Sequence, residues 1–319
     1  MLNLKEEMNV GFTILALTNI KGIGPKTLFK ARDELLSWNL LEPRDILEIL
    51  GQLIESKRLS EKFYQITIEE TEKAFTEAAQ IFSSIRSKNV RITTFLEDSF
   101  PREVVNLENP PAFLYYQGDI RLLKKQKLAI VGTRKPTAFG FKKAQELAEE
   151  AADNKIVVVS GLALGVDTAA HKGVLRSTSP ESTIAVLPSG AGDVYPASNR
   201  NLAFEILKKG GLLISECPPG TEIQKYNFVK RDRIIAAIAD GLLAIEASCT
   251  SGTLITMNYG FELGRKLFVL NHSVDYENED TLGGLKKAVA QYGALWINEF
   301  GDLMGSFGQG KSQDFNWRM

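Results

Sequence analysis

The sequence predicts an α/β protein: a large domain built on a parallel sheet with helices on both faces, preceded by a small all-helical domain. Three observations predict it. Up to about residue 88 the apolar residues recur only at helical spacing; beyond it, apolar runs of strand length alternate with helical stretches. Small-residue turns also follow several of those runs, where a strand would hand over to a helix.

In chain order, residues 1–88 form the helical domain. Gly22-Ile23-Gly24 makes a tight turn, Pro25 suits a first helical position, and Leu28, Phe29, Leu35 and Leu36 lie behind it. The turn resembles a helix-hairpin-helix or a related SAM-like helical domain, although a plain αα-hairpin turn is the default reading of these residues. An amphipathic helix over residues 68–87, with Phe75, Ala78, Ile81, Phe82 and Ile85 on one face, closes the domain. Residues 89–304 then form the sheet domain, with strands expected at 91–95, 128–131, 156–159, 183–187, 212–214, 241–245 and 267–270. Near-continuous β-branched runs separated by helices indicate a parallel sheet buried on both faces, hence an extended Rossmann-like domain. No G-x-G-x-x-G follows its first strand, so the dinucleotide fingerprint is missing. Residues 305–319, rich in Gly, Ser and Gln, are expected to be a flexible tail.

Composition limits the function. The chain has 319 residues, 44% hydrophobic and 24% charged, with a net charge of −1, so affinity for nucleic acid must come from a local patch. Two cysteines, Cys217 and Cys249, form no spaced framework and point to a reducing compartment. The N-terminus carries acids where a signal peptide needs a basic start, and no apolar run reaches membrane length, so a cytoplasmic protein without membrane association is expected. With only His171 and His272 and no Cys-x-x-Cys, no metal site is expected, and no cofactor. GIGPKT (22–27) lacks the spacing of a phosphate loop, which argues against ATP hydrolysis.

The candidate site comes from the turns. LAIVGTRKPTAFG (128–140) runs from strand through Gly132-Thr133-Arg134 into a helix, and such a turn aims backbone N–H groups and a helix N-terminus at one spot. The device recurs at Ser160-Gly161 and at Ser251-Gly252-Thr253. Parallel strands would bring all three turns to one edge of the sheet, a phosphate-binding crevice. Arg134 can grip a phosphate there, and Lys225, Arg231 and Arg233 add charge, although Asp232 offers a local partner for the arginines. Phe228, between Lys225 and Arg231, is either a platform for a base or a core residue at a helix start. Asp167 reads as a helix cap and His171 as a packed residue.

Successive motifs then resemble one family in its own order: Phe100-Pro101; 109–114; Gly118-Asp119; Ile130-Val131-Gly132-Thr133-Arg134; Val159-Ser160-Gly161-Leu162-Ala163 with Gly165, Asp167 and His171; 186–190 with Tyr195-Pro196; Ser215-Glu216; Phe228 with 231–236; Glu246 with 251–256; and Gly264-Arg265. This pattern resembles the DprA/Smf family of bacterial DNA-processing proteins. The resemblance implies a protein without established catalysis that binds single-stranded DNA, protects incoming DNA and helps load a RecA-type recombinase, working as a homodimer through its Rossmann-like domain. Three departures stand out: Asp232 where the family has Asn, Leu164 where Arg is common, and Leu270-Asn271-His272-Ser273 where Pro-Gly is usual. The first puts negative charge beside the proposed patch.

The main alternatives use the same crevice. A nucleotide-binding sensor would do so without chemistry. A nucleoside-monophosphate N-glycosidase, as in the lysine-decarboxylase-like (cytokinin-activating) family, uses P-G-G-x-G-T-x-x-E, but here Thr256 occupies the Glu position and cannot act as a carboxylate. Glu246, on the other side of the turn, is its possible substitute.

Overall fold

The computed structural model describes residues 10–35, 38, 40, 42–180, 182–272 and 279–307. Leu36 and Ser273, named above, lie outside them. The chain divides into two compact units, one running up to Tyr115 and the other starting at Tyr116.

The first unit holds α1 (Val10–Thr18), α2 (Pro25–Lys30), α3 (Arg32–Leu35), α4 (Pro43–Glu55), α5 (Ile68–Ser87) and β1 (Arg91–Thr94). Proline at the first turn starts α2 and α4, and reciprocal capping boxes start α4 (Glu42 with Asp45) and α5 (Thr67 with Glu70). Phe12 meets Phe75 and Phe82 edge-on at 5.0 and 5.2 Å, which places the expected apolar face of α5 against α1. The change of sequence period near residue 88 coincides with the end of α5, yet the compact unit continues to Tyr115. The reason is packing: Phe95, just after β1, has its ring 4.4 Å from that of Phe29 on α2.

The chain crosses between the units within β2 (Phe113–Gly118). The second unit contains β3 (Lys127–Val131), α6 (Ala138–Asp153), β4 (Val157–Ser160), α7 (Val166–Val174), β5 (Thr183–Val186), α8 (Arg200–Lys208), β6 (Leu212–Ser215), α9 (Lys225–Ile238), β7 (Gly241–Ala244), α10 (Thr253–Glu262), β8 (Lys266–Leu270), α11 (Glu279–Tyr292), β9 (Leu295–Ile297) and α12 (Phe300–Phe307). Strands β3 to β9 lie in the order β6-β5-β4-β3-β7-β8-β9, all parallel. Strands β3 to β7 are buried along their whole length, as a sheet covered on both faces requires. On one face Leu128, Ile130, Val158 and Leu243 pack against alanines of α6 and α7, small side chains that let these helices approach closely. Gly173 marks the contact, since a Cβ there would sit 2.2 Å from the carbonyl of Gln145.

Two strands fall outside the expected set. β2 is the aromatic run FLYYQG and β9 is three residues at the sheet edge, so neither presents the aliphatic run that marks the others. Residues 305–307, expected in the tail, belong to α12, because Phe300 and Leu303 anchor that helix in the core; 308–319 lie outside the described residues. No helix among the described residues is long and apolar enough to cross a membrane, and no cluster of three or more His, Cys, Asp or Glu there could hold a metal ion.

Candidate functional site

Because β4, β3 and β7 are neighbours, the turns that follow them leave the sheet side by side at its carboxyl edge. The sheet reverses its order between β3 and β7, where a ligand would be expected in such a fold. That place is already filled. The fully buried carboxylate of Glu246 sits at the N-terminus of α6, accepting from the Thr137 N–H at 2.9 Å and the Thr137 hydroxyl at 2.5 Å. Gly140 makes room for it, since a Cβ there would lie 2.2 Å from Glu246 Oε1. The Thr133 N–H donates to the Glu246 carbonyl at 2.8 Å, so one residue fixes both ends of the segment from Thr133 to Thr137.

His272 completes this cluster and thereby gains a role. Its Nδ1 lies 3.1 Å from the Leu270 carbonyl, which can only accept, so Nδ1 carries a proton. Its Nε2 lies 3.2 Å from Glu246 Oε1, within hydrogen-bond reach of the carboxylate. Burial opposes ionisation of Glu246, but hydrogen bonds from His272 and Thr137 overcome it and hold the carboxyl below its ordinary value. Thr256, on α10, is buried as well.

The turn after β4 is satisfied internally too. Ser160 Oγ donates to the Ile130 carbonyl at 2.7 Å, while the Gly161 and Ala163 N–H groups donate to Asp167 Oδ2 at 3.1 and 3.3 Å. Asp167 was expected to cap α7; it clasps this loop instead, because the loop folds back over the helix start. Asn199 holds the outer side through the Leu162 carbonyl at 2.8 Å. His171 is packed as read from the sequence: Thr183 donates to the Val158 carbonyl and so accepts from His171 Nδ1 at 2.8 Å. Burial, with the Arg231 charge nearby, pushes the His171 pKa down to about 3 and keeps the ring neutral.

What stays open is a crevice on the other side of Arg134, walled by Leu164, Pro188, Tyr195, Phe228 and Arg231. Arg134 is exposed and has no ion-pair partner among the described residues; its guanidinium carbon stands 5.1 Å from the centre of the half-buried Phe228 ring. Tyr195, 40% exposed, meets Phe228 edge-on at 5.7 Å. Arg231, only 7% exposed, forms the floor: its Nη1 lies over Gly161, 3.4 Å from the Val186 carbonyl and 3.8 Å from Asp167 Oδ2, and its Nε lies 3.0 Å from Asp232 Oδ1. Burial raises the Asp232 pKa to about 6 against the pull of Arg231.

The other candidates are placed differently. Arg233 is paired with Glu216, and Lys225 is exposed at the first residue of α9. Ser251 and Thr253 bond to each other, Oγ to Oγ1 at 2.9 Å, and with Gly252 they do not line the crevice. Gly132 packs against Val166, and Thr133 Oγ1 accepts from the Lys135 N–H. Sequence reasoning missed Tyr195, Leu164 and Pro188 as walls; Tyr195-Pro196 stood in a quoted motif, but nothing in it revealed that the ring reaches Phe228.

The family described as DNA recombination-mediator protein A matches residues 91–308. The DNA processing protein DprA of Bacillus subtilis (strain 168) is 32% identical over 232 residues, covering 72% of this chain and 76% of that protein. The X-ray structure of DprA from Streptococcus pneumoniae aligns with a TM-score of 0.72 at 25% identity, over 97% of this chain and 99% of that one. A structure of DNA processing protein A from Helicobacter pylori, reported for its unique single-stranded DNA binding mode, aligns with a TM-score of 0.61 at 30% identity, over 70% of this chain and 98% of that one.

Proposed function

This chain belongs to the DNA recombination-mediator protein A (DprA/Smf) family, and from that premise we propose that it binds single-stranded DNA at the crevice that Arg134 and Phe228 line together. The observation that carries the reading is the exposed Arg134 guanidinium standing over an aromatic ring at the mouth of an open crevice. A guanidinium holds a backbone phosphate regardless of sequence, and a ring stacks on any unpaired base, so the pair suits a single strand and not a duplex whose bases are already stacked. Lys225 adds a cation at the start of the same helix. Ser160, Gly161, Arg231 and Arg233 shape the floor and its surroundings.

We extend the proposal to the further functions that the family resemblance implies. The protein protects incoming DNA, helps load a RecA-type recombinase, and acts in the cytoplasm without a cofactor or catalytic step. It works as a homodimer through the sheet domain. Leu282 and Leu285 are spent on the core, but Leu295 and Trp296 on the edge strand β9 remain exposed and offer a surface for self-association. Light scattering at micromolar concentration should give twice the chain mass, and a clean monomer would oppose the dimer. No observation favours the nucleotide sensor or the N-glycosidase: Glu246 is enclosed at the N-terminus of α6, where a phosphate would otherwise sit.

The test of the DNA reading is fluorescence anisotropy with labelled oligo-dT, duplex DNA and mononucleotides. Preference for the long single strand supports it. Tight mononucleotide binding, or release of free base from AMP that Glu246→Gln abolishes, would replace it with the sensor or the enzyme.

A further inference from the structure

Helix α9 divides two concavities. Phe228 and Arg231 face the crevice described above, while Tyr226 and Lys230 border a second cleft of about 190 Å³ between α9 and the turns that follow β5 and β6. Pro188 and Arg231 belong to both, so the two clefts share a wall and a floor. The second cleft repeats the chemistry of the first. Tyr226 is 57% exposed, and Lys230, one helical turn on, holds its ammonium 5.1 Å from the centre of that ring. Arg134 stands at the same distance over Phe228.

The lining of the second cleft is fixed before any ligand arrives. Asn227, buried, donates to Cys217 Sγ at 3.2 Å, and the Cys217 N–H donates to Ser215 Oγ at 2.9 Å. Glu216, the acid on this wall, is paired with Arg233 and also feels the charge of Lys230, which is exposed at the mouth. A tyrosine this exposed contributes little to the core, and its ring is available for a flat partner.

We propose that Tyr226, Lys230 and the adjoining cleft form a second nucleotide subsite, which takes a base and phosphate of the same single strand that occupies the Arg134–Phe228 crevice. The base stacks on Tyr226, and Lys230 swings from the ring to the phosphate. The inference rests on the DNA reading above and extends it: the strand passes over α9 and is held on both sides of it.

The experiment is anisotropy with a ladder of labelled oligo-dT lengths on the full chain and on Tyr226→Ala, Lys230→Gln and Tyr226→Phe. Short oligonucleotides that fill only the first crevice should bind all four proteins alike. Longer ones should gain affinity in the unmodified protein and in Tyr226→Phe, but bind Tyr226→Ala about tenfold more weakly, the loss of one stacked base. Lys230→Gln should flatten the logarithmic salt slope by about 0.7, the loss of one phosphate contact to a single strand. Both side chains are exposed, so the melting temperature should not move. Variants that match the unmodified protein at every length and salt concentration, while Arg134→Ala still weakens binding, overturn the second subsite and leave the first standing. Failure of the unmodified protein to bind any oligonucleotide overturns both.

Discussion

Two places on one sheet edge share the same ingredients and end differently. At the reversal between β3 and β7, a helix N-terminus and a glycine turn face the molecule's own carboxylate, with His272 behind it. One strand away, beyond the same turn, Arg134 faces open space over an aromatic ring. A turn that attracts anions is therefore a site only where the protein has not supplied the anion itself. Glu246 fills the first place and Asp167 the loop after β4, while Arg134 remains exposed at the same edge.

The largest expected effect lies at the filled place. Glu246→Ala removes the anion that His272, Thr137 and the start of α6 share, and leaves a buried imidazole without its partner. Stability to denaturant should drop by about 3–5 kcal/mol. A loss within experimental error would mean that the cluster does not hold the turn, and the contrast between the two places would collapse.

Next comes Phe228→Ala at the open place. Stacking predicts single-strand binding weaker by about 1–3 kcal/mol, with the melting temperature and salt slope nearly unchanged. A loss of about 3–5 kcal/mol of stability without a specific DNA defect would mark Phe228 as core and remove the platform. The half-buried ring and its edge contact with Tyr195 favour the first outcome.

The smallest effect sharpens the electrostatics of the open place. Asp232 has a folded pKa of about 6 against an ordinary 3.8, so its ionisation works against folding as pH rises through that interval, and the cost is complete above about 6. Protonation below about 6 removes a negative charge beside Arg231 and Arg134. Single-strand affinity at constant salt should therefore strengthen by a few-fold as pH falls through 6, and Asp232→Asn should show the stronger affinity at all pH values. A pH dependence that persists in Asp232→Asn would assign it to another group.

Much of this arrangement was legible in the sequence, for physical reasons that differ by element. Aliphatic runs mark the inner strands because a parallel sheet buries both faces; β2 and β9 escape because one is aromatic and the other is a short edge. Arg134 and Phe228 were readable because a turn and a helix start constrain them locally. Arg231 looked like another phosphate ligand, but its surroundings, Gly161 and Asp167, lie more than sixty residues away in the chain and only folding brings them together. The Glu246–His272 pair is non-local too, 26 residues apart, so the sequence offered no role for His272.

The central claim is that Arg134 at the open crevice holds the DNA backbone. Its most direct test is the salt dependence of oligo-dT affinity for the unmodified protein and for Arg134→Ala. Counterion release predicts that the variant binds more weakly and that its plot of log affinity against log salt is flatter by about 0.7, one phosphate contact on a single strand. An unchanged affinity with an unchanged slope would contradict the account and place the DNA elsewhere on the protein.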